Sequence, residues 1–356
     1  DGWGRGMNAQ NSTTVLSSLN AGLHQALEDN SQVIILGEDI LDPYGGSFKV
    51  TKGLSNSFPD RVMTTPISEA GITGIAGGMA LRGMRPVVEI MFGDFSTLIV
   101  DQVVNHLAKF NTMYHQDVNV PVVIRTPMGG RRGYGPTHSQ SLEKLFLGVP
   151  GLTVLAPFHF QGHHSGLGSP GQLLYDAVTQ QDGPTFFIEH KLQYLLKLFT
   201  TEDLIEHSLI DLGTDDRFPL YKLVLKSAPS PQITLAAYGF MAHLAMEAML
   251  ILAYEHEIIC ELIVPTCLAP FKLGPLFDSA AGTGRLLTLE EGTLSLGWGA
   301  EVLARTAETL GPKLRAAGRL AAVESVIPAA PDLEDACLPD VADIVSRARE
   351  MVEENG

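Results

Sequence analysis

Short apolar runs rich in Val and Ile recur from Gln32 to Lys191: VIILGED, RPVVEIMF, VPVVIRTP, GLTVLAP and TFFIEH, with segments of helical period between them. Runs that are apolar at consecutive positions, without alternation, predict strands buried on both faces. Between the second and third run, DFSTLIVDQVVNHLAKF repeats Phe95, Leu98, Ile99, Gln102, Val103, His106, Leu107 and Phe110 at three- and four-residue spacing. That pattern predicts one core-facing helix with Asp94 as its N-cap. Strands alternating with helices predict an α/β fold, a parallel sheet covered on both faces, with ligands near the carboxyl ends of its strands.

From about Leu195 to Gln232 the pattern dissolves into acidic and Pro-containing sequence, TTEDLIEHSLIDLGTDDRFPLYKLVLKSAPSPQ, and then restarts. ITLAAYG, a helix from Met241 to about His256, IICELIVP, RLLTLEE and AEVLARTAETL predict a second, smaller α/β domain. The expected organisation is a domain over 10–195, a linker over 196–231 and a domain over 232–345. The opening DGWGRG reads as a processed or appended end and is set aside from fold reasoning. QGHHSGLGSPGQ, after the fourth run, reads as a Gly- and Pro-rich insertion, and the C-terminal DIVSRAREMVEEN as an amphipathic segment that could fray.

Composition narrows the function. Hydrophobic residues make up 45% and charged residues 18% of 356, which fits a globular protein and excludes a disordered one. A formal charge of −16 opposes binding to nucleic-acid phosphates or anionic membranes. Cys260, Cys267 and Cys337 lack the count and spacing of a disulfide framework or zinc site, so a reducing compartment is expected. No apolar run approaches the roughly 18 to 20 residues of a membrane span. The expected location is cytoplasmic, or the mitochondrial matrix or a plastid if a transit peptide has been removed.

Two stretches could carry chemistry. The first is TTPISEAGITGIAGGMALRGMRPVVEIMFGDF, Thr64 to Phe95. Its glycines at 71, 74, 77, 78 and 83 would each cost a helix about 1 kcal/mol relative to alanine. Gly71, Gly74 and Gly78 fall on one helical face, open to close approach by another backbone within a domain or across a subunit boundary. Glu69 stands just ahead, either as a capping carboxylate favoured by the helix dipole or as a functional acid. The second stretch is RTPMGGRRGYGPTHSQSLEKLF, Arg125 to Phe146, where a buried strand leads into a Gly-rich loop. His138 is expected to open a helix capped by Ser139 or Thr137, and is either a catalytic group after a parallel strand or an exposed loop histidine. Arg131 and Arg132 could meet an anionic substrate or form a solvated pair. His159, His163 and His164 suggest a metal, but no carboxylate or Cys completes the set.

Together GEDI, TPISEAGITGIAGG, EIMFGDF with DQ six residues on, GYGPTHSQSLE, PGLTVLAP, FIEHKLQY, TGRLLTLEEG and GWGAEV resemble, in one collinear order from Thr14 to Pro339, the beta subunit of the thiamine-diphosphate-dependent decarboxylase component of 2-oxoacid dehydrogenase complexes. The resemblance implies a pyrimidine-binding parallel-sheet domain and a transketolase-C-terminal-like domain. It implies two alpha and two beta chains per heterotetramer, the cofactor lying between an alpha and a beta chain, and a lipoylated acyltransferase as further partner. Glu69 matches the glutamate that hydrogen-bonds the aminopyrimidine nitrogen, for which a carboxyl that can hold a proton near neutral pH is needed. Met91 and Phe95, with Ile67 beside them, match positions that wall the ring, and His138 matches the active-site histidine of acyl transfer. The Gly-Asp-Gly and Asn element that grips magnesium in alpha chains has no counterpart in the sequence, so the chain alone is expected to be inactive. QQDGP at Gln180 to Pro184 departs from the Asp and Asn of the family's potassium site. The implied substrate is a 2-oxo acid, with pyruvate favoured by Met91 and Phe95; acetoin cleavage, a specialised pathway and a non-catalytic scaffold stand as alternatives. A single-chain transketolase would need a diphosphate half for which the length leaves no room.

Overall fold

The computed structural model describes residues 13–115, 117–162, 168–213 and 217–354. They divide into two units, one formed by the chain up to Met128 with Leu145–Thr200, the other by Gly129–Lys144 with the chain from Thr201 onward. Among the described residues no helix is long and apolar enough to cross a membrane.

The first unit runs α1 (Val15–Asp29), β1 (Val33–Gly37), α2 (Leu54–Ser57), β2 (Val62–Thr64), α3 (Glu69–Ala80), β3 (Arg85–Glu89), α4 (Ala108–Met113), β4 (Val123–Met128), β5 (Thr153–Leu155), α5 (Pro170–Gln180) and β6 (Thr185–His190). Its strands lie in the order β5-β6-β4-β3-β1-β2, every neighbouring pair parallel. β4 and β6 are buried at every position, which is why their sequences do not alternate. α1 opens with a capping box between Thr14 and Ser17 and crosses α5 at two glycines. A Cβ on Gly22 would stand 2.2 Å from the Gly171 carbonyl oxygen, so no other residue fits this crossing. Ser169 caps α5 and Pro170 occupies its first turn, so the end of the Gly- and Pro-rich insertion starts a helix.

The helix expected over 94–110 takes a different form. Gly93–Ile99 is a 3-10 helix, Gln102–Leu107 a π-helix, and only then does α4 begin. Ile99, Val103 and Leu107 face the core as their spacing implied, whereas Leu98 is exposed. Asp94 lies inside the first turn, and the cap position belongs to Phe92. Apolar spacing fixes which face is buried, but not which carbonyl each amide selects.

The second unit runs β7 (His207–Asp211), β8 (Leu220–Leu225), β9 (Ile233–Ala237), α6 (Gly239–His256), β10 (Cys260–Pro265), β11 (Cys267–Ala269), α7 (Gly274–Thr283), β12 (Arg285–Thr293), α8 (Trp298–Leu310), β13 (Ala316–Ala322), α9 (Pro331–Asp335) and α10 (Val341–Glu353). Its sheet has the order β13-β12-β9-β10-β8-β7; the first four strands are parallel, and β8 and β7 add antiparallel at the edge. The stretch 196–231, expected as a linker, therefore contributes two strands to this sheet. They escaped notice because an antiparallel edge hairpin needs only one apolar face and tolerates the prolines and acids around it. α10 is closed by a capping box between Asp340 and Asp343 and buries Ile344, Val345, Ala348 and Met351. It is an anchored helix.

Candidate active site

The carboxyl edge of the first sheet gathers four of the sequence-predicted groups or their neighbours. β1 ends at Gly37, and the next residue, Glu38, is 6% exposed. The Thr65 amide donates to the Gly37 carbonyl at 3.0 Å, tying that strand end to the segment entering α3. Glu69, the first residue of α3, is 7% exposed. Its carboxylate is close enough to repel that of Glu38. Burial first, and this repulsion second, push the Glu38 carboxyl above its ordinary range against the pull of the Ser68 amide. Glu38 Oε1 is buried with no hydrogen-bond partner among the described residues. Two buried acids therefore stand close together where α3 begins, one of them holding an unsatisfied oxygen. Glu38 was visible in the sequence only as part of GEDI; its signal was an acid immediately after a fully apolar parallel strand.

Met91 follows β3 and Phe95 lies in the 3-10 turn, both half-buried. β3 is the direct neighbour of β1, so these two side chains belong to the same sheet edge as the acid pair. Phe95 meets Phe92 edge to face at 6.0 Å between ring centres. Ile67 differs: it is 82% exposed, with its side chain in solvent beside α3. On α3 itself Gly77 faces inward to accommodate Leu107, while Gly71 and Gly78 are exposed and Ile75 is 61% exposed. Of the glycine face expected to receive another backbone, Gly71 and Gly78 are open in this chain, whereas Gly74 is half-buried against Gln102.

One layer below lies a buried ion network. Gly37, Glu89 and Arg125 pair across three adjacent strands. Arg125 donates through Nε to Glu189 Oε1 at 2.7 Å and through Nη1 to Glu89 Oε2, and Tyr194 donates to Glu189 Oε2 at 2.6 Å. Burial would lower the Arg125 pKa, but the two carboxylates outweigh it and hold the pKa above its ordinary value. Burial raises the Glu89 carboxyl even so.

His138 belongs to the second unit. It sits in a turn, with its amide donating to the Gly135 carbonyl at 3.2 Å, and not at the start of a helix; helical structure resumes only as a 3-10 turn at Glu143–Leu145. The Gly-rich loop before it cannot continue smoothly into a helix because Arg131, Gly133 and Gly135 are all left-handed. His138 Nδ1 is 2.8 Å from Thr137 Oγ1. Arg131 is not offered to a substrate: its Nη2 donates to the Pro339 carbonyl and its Nε lies 3.8 Å from Glu291. Arg132 remains exposed over the Tyr134 ring. Farther along, Glu143 accepts from the Tyr238 hydroxyl, and Glu290 caps α8 by accepting the Trp298 and Gly299 amides. Burial pushes Glu290 from 4.5 up to about 7. His159 is packed between Phe158 and Phe199, while His163 and His164 lie outside the described residues. Among the described residues no group of three His, Cys, Asp or Glu side chains could hold a metal ion.

Comparison with known proteins agrees with this architecture. Residues 12–196 match the transketolase pyrimidine binding domain and residues 222–344 the transketolase C-terminal domain. The chain is 34% identical over 338 residues, 94% of its length and 86% of the relative's, to "Pyruvate dehydrogenase E1 component subunit beta-1, mitochondrial" of Oryza sativa subsp. japonica. It belongs to the beta-subunit family of 2-oxoacid dehydrogenases. Other members are about as similar. A "3-methyl-2-oxobutanoate dehydrogenase subunit beta" of Mycobacterium tuberculosis (strain CDC 1551 / Oshkosh) is 34% identical, covering 86% of this chain and 84% of its own. The "Acetoin:2,6-dichlorophenolindophenol oxidoreductase subunit beta" of Cupriavidus necator is 31% identical, covering 94% and 96%. A solved "Split gene transketolase, inactive beta4 tetramer" shares the fold at TM-score 0.72 and 19% identity, over 97% of this chain and all of its own.

The pyrimidine-binding match places this beta subunit in the thiamine-diphosphate family. The buried, unsatisfied Glu38 oxygen near Glu69, with a thioether and an aromatic ring on the same sheet edge, fits the pyrimidine half of that cofactor. The potassium ion implied by the resemblance does not fit. Around 180–184, Arg85 Nε donates to the Val178 carbonyl at 2.6 Å, its Nη2 donates to the Gln181 carbonyl, and its Nη1 is 3.9 Å from Asp182. A guanidinium already neutralises the carbonyl end of α5. Exchanging potassium for sodium at constant ionic strength is therefore expected to leave the melting temperature unchanged, while Arg85→Met costs about 1.5–3 kcal/mol in either salt. A potassium-dependent rise in the wild-type melting temperature would overturn this.

Proposed function

We propose that this beta subunit forms, with an alpha chain, a two-plus-two heterotetramer that decarboxylates a 2-oxo acid and passes the acyl group to a lipoylated acyltransferase. The observation that carries the reading is the buried Glu38–Glu69 pair at the N-terminus of α3, on the carboxyl edge of a parallel sheet. Thiamine diphosphate, when bound, supplies the nucleophilic carbon and the electron sink; its magnesium ion would be held mainly by the alpha chain. Glu69 would hold a hydrogen bond at the pyrimidine nitrogen, with the buried Glu38 carboxyl close by. Met91 and Phe95 would wall the ring, Ile67 meeting the same group from the exposed side. His138 would move a proton at the acyl oxygen or the lipoyl sulfur.

The open face of Gly71, Ile75 and Gly78 supports a partner helix from the alpha chain. A scaffold role is disfavoured because the fold keeps a buried, unsatisfied carboxyl beside a second buried acid at a cost in stability, with no bond to Glu38 Oε1 among the described residues in return. Met91 and Phe95 favour pyruvate, and the acetoin-type relative keeps acetoin as the second reading. Three cysteines without the count or spacing of a disulfide framework support a reducing, cytoplasmic-type compartment. The test is reconstitution with the cognate alpha chain, thiamine diphosphate and magnesium, followed by dye reduction with pyruvate, 3-methyl-2-oxobutanoate or acetoin. Turnover is expected only with both chains present, and fastest with pyruvate. Full turnover by the beta chain alone, or none with any of the three substrates, would sink the proposal.

A further inference from the structure

The loop that presents His138 is held from below by carboxylates of the same unit. Glu334, on the short helix α9, accepts the Arg131 amide on Oε1 at 2.8 Å and the Gly133 amide on Oε2 at 2.9 Å. Glu291, at the end of β12, accepts the Gly130 amide at 2.7 Å. Three of four consecutive backbone amides are thereby committed to two buried acids. Arg131 at φ 64° and Gly133 at φ 66° turn those amides to one side, which an extended or helical loop could not do. The fit is close: a Cβ on Gly130 would come 2.6 Å from Leu338 Cδ1, and one on Gly135 3.0 Å from Ala329 Cβ. Leu338 in turn packs with Ala322 and Ile327, so the loop rests on buried side chains. From Gly133 the chain needs only the Gly135–His138 turn to reach the histidine.

We infer that Glu334 is a positioning residue for His138, fixing the loop through the paired amides of Arg131 and Gly133. The inference rests on the reading of His138 as the acyl-transfer residue. Glu334 sits 196 positions beyond His138 in the chain, so nothing in the local sequence links them. Its two hydrogen bonds both come from backbone amides, and it belongs to the other unit from the Glu38–Glu69 acid pair, which its loss would leave unaltered. A displaced imidazole therefore impairs the step it serves and spares the one it does not.

The experiment uses the assembled alpha–beta enzyme and measures two half-reactions separately: dye-linked decarboxylation, and reductive acylation of a free lipoyl domain. Glu334→Ala is expected to lower acylation roughly 10- to 100-fold, the loss typical of a misplaced catalytic group, with dye reduction within about twofold of wild type. Glu334→Gln, which keeps one acceptor oxygen and the side-chain volume, should restore a measurable part of the acylation rate. Equal losses in both half-reactions, tracking a lower melting temperature in Ala and Gln variants alike, would reduce Glu334 to a structural role and overturn the inference. His138→Ala separates the two ideas. If it leaves acylation intact, the reading of His138 fails and takes the inference with it; if it abolishes acylation while Glu334→Ala does not, the inference alone fails.

Discussion

Replacing Glu69 with alanine in the reconstituted enzyme is expected to cut the rate at saturating substrate by about 100-fold or more, in the range lost when a positioned acid–base group is removed. Stability should not follow the activity down. Glu69 is buried beside Glu38, and the repulsion between them contributes to raising the Glu38 carboxyl. A carboxyl raised by folding contributes stability that is complete below its ordinary value of 4.5 and lost as pH climbs through the raised value. Removing Glu69 takes away one cause of that rise, so the variant should lose less stability than wild type as pH is increased above 4.5. Thermal melts at several pH values, set beside dye-reduction rates, decide the matter. An inactive variant that also melts earlier at neutral pH would point to simple unfolding, and an active one would remove Glu69 from the chemistry.

Arg125→Met should have the largest effect on folding. It leaves Glu89 and Glu189 facing each other inside the sheet with the shared guanidinium gone, and the Tyr194 hydroxyl as the remaining donor to Glu189. Breaking a buried pair from one side typically costs about 3–5 kcal/mol, a large share of the stability of a domain. Arg125→Lys should recover little of it, because a single ammonium cannot reproduce the bidentate contact with Glu189 and the third bond to Glu89. Arg125→Met with Glu89→Gln should recover more, since it removes the carboxyl whose pKa burial already raises. Chemical denaturation of the three variants tests the ordering. A single methionine variant as stable as wild type would show that the network contributes nothing to the fold.

What could be read from the chain, and what could not, divides by range. The parallel strands were legible because burial on both faces leaves a contiguous apolar run, as in VVEIMF and TFFIEH. The antiparallel strands β7 and β8 were not, since Ser208 and Lys222 stand among their apolar residues and acids and prolines surround them. Glu69, Met91, Phe95 and His138 were singled out through long motifs. Glu38 was passed over because a lone acid after a strand has no pattern of its own, and its meaning comes from a helix start 31 residues away. Arg131 resembled a substrate-binding cation until its bond to the Pro339 carbonyl appeared. Contacts between distant positions leave no periodic trace.

The segment 129–144 lies between β4 and β5 in the chain, yet by its contacts it belongs to the second unit. During synthesis it leaves the ribosome more than 140 residues before Glu291 and 190 before Glu334, the acids that later seize its amides. At ordinary elongation rates of about 5–20 residues per second, the histidine-bearing loop waits roughly ten seconds or more for its anchors. A chain cut after residue 200 would keep the acid pair but never receive those anchors, leaving the amides of Gly130, Arg131 and Gly133 without the carboxylates that hold them.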